Sequence, residues 1–127
     1  MRPGPPRGAT ATLEVTVPSG VSTAGAAVVY DTATLAADTE RVCRSLLAPH
    51  LEPGEIAIGV RMELLHRAPV PAGATVSLQA TVASVGPNTL VCEMMARHAG
   101  AIVARGSFEQ RTLPSAAFDA EVAARTA

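Results

Sequence analysis

Thr32-Ala33-Thr34-Leu35-Ala36-Ala37-Asp38-Thr39-Glu40-Arg41-Val42-Cys43-Arg44-Ser45-Leu46-Leu47-Ala48-Pro49 carries the long helical period of this 127-residue chain. Leu35, Thr39, Val42, Cys43 and Leu46 recur at three- and four-residue steps, the spacing of one helix face, and Pro49 stops the run. Residues 33–48 are therefore expected to be helical, with Thr32 placed to be the N-cap. Ala36, Cys43 and Leu47 widen the apolar face, and side chains this small let a sheet approach closely. Asp38, Arg41 and Arg44 are expected on the wetter side.

Working outward from the helix, the period changes to two. Upstream, Leu13, Val15 and Val17 alternate with Thr12, Glu14 and Thr16 until Pro18-Ser19-Gly20, and residues 21–31 read as a loop with room for a short helical turn. Downstream, Pro53-Gly54 turns into a strand on which Ile56, Ile58, Val60, Met62 and Leu64 share one parity, continued by His66. Residues 75–85 alternate Val76, Leu78, Ala80 and Val82 against polar positions. Gly86-Pro87-Asn88 and Ala99-Gly100 then mark hairpin turns on either side of a strand over 89–98, with another over 101–112. Ser115 is placed to cap a short last helix that includes Phe118 and Val122. One strand, one long helix, four strands in hairpins and a last helix make an α+β chain, its antiparallel sheet wrapped around one long central helix.

Composition narrows the functions. With 48% hydrophobic and 17% charged residues the chain can build a core, so we expect a single domain over 10–127 preceded by a flexible arm over 1–9. A net charge of −1 and three aromatic residues, Tyr30, Phe108 and Phe118, leave neither the cationic face nor the stacking platforms that nucleic acid requires. No run approaches the ~20 apolar residues of a membrane span. Pro3, Pro5 and Pro6 stand where a signal peptide needs an apolar helix, so a cytoplasmic protein is expected. Cys43 and Cys92 lack metal or redox spacing and read as buried free thiols. His50 and His98 read as solvent-exposed and without a second ligand at metal spacing. Gly20 and Gly25 form no phosphate loop, so neither a metal nor a cofactor is expected.

Three side chains stand out as candidates for chemistry. His66 puts an imidazole, which ordinarily titrates near neutral pH, on the face of an apolar strand; it is either a core histidine bonded to backbone or a general base. Glu40 lies at the edge of the helix's apolar face, where it either pairs with Arg44 or points under the sheet toward His66. Thr32 is either a cap or a nucleophilic or positioning hydroxyl. Eight helical residues separate Thr32 from Glu40 by ~12 Å along the axis, so the two can cooperate only through His66 or a substrate between them.

Thr32, Glu40, Cys43, the run Ala48-Pro49-His50-Leu51-Glu52-Pro53-Gly54-Glu55, Gly59, His66 and Pro71-Ala72-Gly73 together resemble the fluoroacetyl-CoA thioesterases and their hotdog-fold relatives. The similarity runs from about Asp31 to Phe118. It implies a hotdog fold and hydrolysis of an acyl thioester carried by coenzyme A or a carrier protein, the coenzyme A moiety being part of the substrate. It also implies a homodimer whose sites are completed across the interface. In that family a threonine, a glutamate and a histidine form the catalytic set, matched in order and spacing by Thr32, Glu40 and His66. Its glycine beside the acyl group falls on Gly59, and a substrate-binding arginine falls on Arg111 if one residue is deleted in the hairpins. The aromatic lid of the fluoroacetyl-specific enzyme has no counterpart between Thr23 and Val29, so the small residues of that loop are expected to set acyl selectivity. Two other readings of the same marks are a hotdog dehydratase or hydratase and a non-catalytic binder of acyl thioesters.

Overall fold

In a computed structural model, residues 1–19, 23–24 and 27–126 are described. The helix α1, Thr32–Leu47, begins and ends within a residue of the expected span, and a 3-10 turn over Ala48–His50 takes up the chain at Pro49. Its N-cap is Asp31 rather than Thr32: Asp31 has extended backbone dihedrals and accepts the Thr34 N–H at 2.9 Å. Thr32 is instead the first helical residue, which leaves its hydroxyl free for another partner.

The Thr34 hydroxyl and N–H hold the Asp31 carboxyl below the ordinary carboxylate range. A depressed folded-state value contributes stability that is fully present above the unfolded value and is lost as pH falls through the folded one. Asp31→Asn is therefore expected to melt below the native protein at neutral pH, with the gap closing under acid conditions. Melts followed by circular dichroism at the two pH values check this, and a gap that does not change with pH would refute it.

The strands β1 (Thr10–Thr16), β4 (Glu55–His66), β5 (Thr75–Val85), β6 (Thr89–His98) and β7 (Ala101–Pro114) form one antiparallel sheet in the order β1-β5-β6-β7-β4. Ahead of the helix, β2 (Thr23–Ala24) and β3 (Ala27–Val28) pair with each other. The expected helical turn falls partly on residues outside those described; of the described ones, 23–24 and 27–28 are strand and Val29 bridges to Pro71. At the Ala99-Gly100 hairpin both residues have positive φ, 50° and 80°, as a tight two-residue reversal between twisted strands requires.

One face of the sheet packs on α1. Val76, Leu78, Ala80 and Val82 of β5, Leu90, Cys92, Met94 and Ala96 of β6, and Ala104 and Phe108 of β7 meet Leu35, Val42, Cys43, Leu46 and Leu47 of the helix in one buried cluster. Each large aliphatic side chain so buried contributes about 1.5–3 kcal/mol. Cys43 and Cys92 are both buried and free, and their mutual contact together with burial pushes the Cys43 thiol up. Asp38, expected on the wet face, is buried at 8% exposure because it serves the buried hydroxyl of Tyr30.

Four further expectations are corrected. The shared parity along β4 does not hold, because the pairing with β7 shifts between Gly59 and Arg61. Val60 is the extra residue of a bulge: Ala57 and Gly59 lie opposite Thr112 and Gln110 on the helix side, Ile56 and Ile58 face away, and Met62, Leu64 and His66 return to the helix side. Ser115 does not cap the last helix, α2 (Ser115–Arg125), whose N-cap is Pro114; the Ser115 N–H donates to the Gly54 carbonyl at 2.7 Å. Residues 1–9 lie against the body rather than forming a loose arm: Met1 is buried, its amine pairs with Glu55, and the Gly8 N–H donates to the Val82 carbonyl at 2.8 Å. His50 and His98 are half-buried, with Nδ1 of each 3.1 Å from a backbone carbonyl, that of Pro3 and of Thr75 respectively.

Candidate active site

Helix α1 runs antiparallel to the edge strand β4, so the start of the helix meets the end of the strand. There Thr32 Oγ1 lies 3.3 Å from His66 Nδ1, two side chains thirty-four residues apart in sequence. Capping by Asp31 directs the Thr32 end of the helix, and the bulge at Val60 turns His66 inward; without that extra residue His66 and the Gln110-facing half of β4 could not share a face. The Thr32–His66 contact is open to solvent, whereas His66 Nε2 is buried and has no hydrogen-bond partner. Nδ1 is thus the nitrogen that exchanges protons with Thr32 and with anything that approaches it.

Behind the imidazole stands a group that the sequence reading passed over. The Tyr30 ring packs edge-on against the His66 ring, with centroids 6.3 Å apart and planes at 75°. Tyr30 is buried at 1% exposure, donates its hydroxyl to Asp38 Oδ2 at 2.6 Å, and is tied through its N–H to the Val70 carbonyl at 2.8 Å. Burial, reinforced by the Asp38 carboxylate, pushes the phenol up, so Tyr30 stays a neutral wall for the site. A tyrosine directly before the helix cap and an aspartate two turns into the helix were the available signal.

Glu40 is not brought to His66. It pairs with Arg44, Nη2 to Oε1 at 2.7 Å and Nε to Oε1 at 2.9 Å, and Arg44 in turn reaches the Ala57 carbonyl of β4 at 3.5 Å. The i, i+4 pair is therefore what a single chain shows, held on the side of α1 that looks toward β4. Gly59 lies on the helix side of β4, and a Cβ there would come 2.7 Å from Phe108 Cζ, so glycine at this position admits the Phe108 ring.

Arg111 is exposed and sits between Ile58 and Thr89 on the outer face of the sheet, away from His66. Strict alternation along β7 puts its neighbour Gln110 inside instead, at 0% exposure. The one-residue deletion is thus a choice between two faces of β7, the outer for Arg111 and the inner for Gln110. Among the described residues no group of three or more His, Cys, Asp or Glu side chains gathers as a metal site would require, and no helix is long and apolar enough to cross a membrane.

A five-stranded antiparallel sheet packed around one long helix is the architecture of the hotdog thioesterase superfamily. A superfamily member from Thermus thermophilus superposes with a TM-score of 0.89 over 96% of this chain and 93% of its own, at 28% identity. Within that class the chain belongs to the fluoroacetyl-CoA-specific thioesterase family, whose model matches residues 11–116. The fluoroacetyl-CoA thioesterase of Streptantibioticus cattleyicolor is 31% identical over 87 residues, 68% of this chain and 63% of that protein, so the matched stretch spans under two-thirds of that relative. A solved structure of the fluoroacetyl-CoA thioesterase superposes with a TM-score of 0.85 at 26% identity, covering 98% of this chain and 99% of its own. A variant of it solved with acetyl-CoA superposes with a TM-score of 0.83 at 26% identity, over 96% and 99% of the two chains.

Proposed function

We propose that this protein hydrolyses an acyl-CoA thioester to the free acid and thiol, with Thr32 and His66 as the reacting pair and Glu40 as the third member of the set. The observation that carries the reading is the 3.3 Å approach of Thr32 Oγ1 to His66 Nδ1 at the helix start. His66 takes the Thr32 proton as the hydroxyl oxygen attacks the thioester carbonyl. The C–S bond breaks, the thiolate leaves with that proton, and water then releases the acid from Thr32. The N-terminus of the sixteen-residue α1, with its unpaired N–H groups, favours negative charge beside Thr32 as the oxyanion develops. Family membership and a relative solved with acetyl-CoA support coenzyme A as the carrier.

The working form is a homodimer paired along β4. This strand has twelve residues, is paired on one side with β7 and is free on the other, contains no proline, and exposes Val60 at 47% and Leu65 at 55%. Two such edges paired antiparallel about an axis near the strand's middle set the His66 end of one copy beside the Ala57–Gly59 end of the other. Glu40, which Arg44 holds toward β4, then faces the interface, and a backbone N–H near Gly59 becomes available to the oxyanion of the second copy's site. Two buried free thiols fit residence in the reducing cytoplasm.

Thiol release from a panel of acetyl-, fluoroacetyl-, medium-chain and arylacetyl-CoA, run alongside light scattering, tests both parts. Turnover well above buffer and a mass twice that of the chain are expected. No release from the whole panel by folded dimer would overturn the hydrolytic reading in favour of a non-catalytic binder, and a monomeric mass would overturn the pairing.

A further inference from the structure

Between the C-terminal half of α1 and the first half of β4 lies a cavity of 320 Å³, walled by Leu47, Leu51 and Ala57, with Arg44 and Glu55 at its edges and Gln110 beneath. Its volume is at the small end for ligand pockets. Gln110 is fully buried on β7, and its Nε2 donates to the Cys43 carbonyl at 3.3 Å. A carbonyl can only accept, so that bond fixes which end of the amide is which: Oε1 points away from Cys43, and it is buried without a partner. A buried acceptor left unpaired is costly unless something fills it.

We infer that this cavity is the acyl pocket and that Gln110 Oε1 selects acyl groups whose far end carries a neutral hydrogen-bond donor, a hydroxyl or an N–H, over hydrocarbon chains of the same length. The inference rests on the thioesterase reading, because β4–β4 pairing sets this cavity of one copy beside His66 of the other. A neutral donor is favoured over a charged group because both ions at the edge are already matched: Arg44 pairs with Glu40, and Glu55 pairs with the Met1 amine. The aliphatic walls accept the chain between carbonyl and donor, and Gln110 takes the donor's proton in a hydrogen bond without any transfer.

The test compares γ-hydroxybutyryl-CoA with pentanoyl-CoA, in which a methyl group replaces the hydroxyl. Steady-state kcat/KM is measured for the thioesters, and calorimetric affinity for their non-hydrolysable thioether analogues. The native protein is expected to favour the hydroxylated chain about tenfold or more in both, and Gln110→Leu to abolish the preference. Ala57→Leu, which fills the cavity from β4 and leaves Gln110 in place, is expected to weaken both analogues, and it decides the matter should Gln110→Leu not fold. Equal affinity of the native protein for the two analogues, a preference that survives Gln110→Leu, or undiminished affinity for both analogues in Ala57→Leu overturns the proposal. Hydrolysis of both chains without preference leaves the thioesterase reading standing and removes this one; preferential binding with no hydrolysis of any thioester does the reverse.

Discussion

His66→Ala is expected to lower kcat for thioester hydrolysis by about 10²–10⁴-fold, the usual contribution of a positioned general base, while KM stays close to that of the native protein. The loss follows from geometry: the Thr32 hydroxyl has His66 Nδ1 as its side-chain partner, and a hydroxyl without a base is a weak nucleophile. Stability should move the other way or hardly at all. His66 Nε2 is a buried polar atom with no partner, so truncation removes a group that was never satisfied. Activity lost with urea stability retained is thus the expected signature, and turnover within a few-fold of native would remove His66 from the mechanism. Thr32→Ser and Thr32→Val refine the result: retention in the first with loss in the second marks the hydroxyl as the attacking group, whereas an active Thr32→Val would transfer the attack to water.

Gly106→Ala is expected to destabilise the fold by about 3 kcal/mol, at the upper end of overpacking costs, and to lower activity with it. A Cβ at this point of β7 would overlap the Glu63 carbonyl oxygen of β4 and come 2.8 Å from Leu64 Cδ2. The obstacle is backbone, which no side-chain rotation relieves, so the two strands must part where Gly106 lies opposite Leu64. His66 pairs with Ala104 two residues along the same ladder, so the separation reaches the His66 end of β4. Urea denaturation and kcat/KM on the same preparation check both effects; native stability in the variant would show that β4 can shift without cost.

Local rules made much of this fold legible. The three- and four-residue spacing from Leu35 to Leu46 located α1, and alternation with turn residues located β5 and β6 to the residue, because both periods reflect burial on one side of one element. On β4 the same counting failed, since a bulge inserts Val60 without changing composition and the parity on its two sides no longer agrees. Thr32 and His66 were legible as residues through family resemblance, and the structure brings them together. Which of Gln110 and Arg111 turns inward was not legible, because a one-residue ambiguity in alignment is a choice between opposite faces of a strand, and only the pairing of Gly59 with Gln110 settles it.

By itself, the sequence determined the class of chain: one long small-residue helix among antiparallel strands, with Thr32, Glu40 and His66 as its candidates for chemistry. Tertiary structure alone decided which of these meet. Thr32 reaches His66 because α1 and β4 run antiparallel with the bulge between them, Glu40 turns to Arg44, Asp38 goes inside to hold Tyr30, and Gln110 lies buried with an unpaired oxygen. Periodicity depends on neighbours a few positions away and is written in the sequence. Contacts between residues 34 or 67 positions apart, such as Thr32 with His66 and Gln110 with Cys43, depend on register and strand order, which exist only once the sheet has closed on the helix.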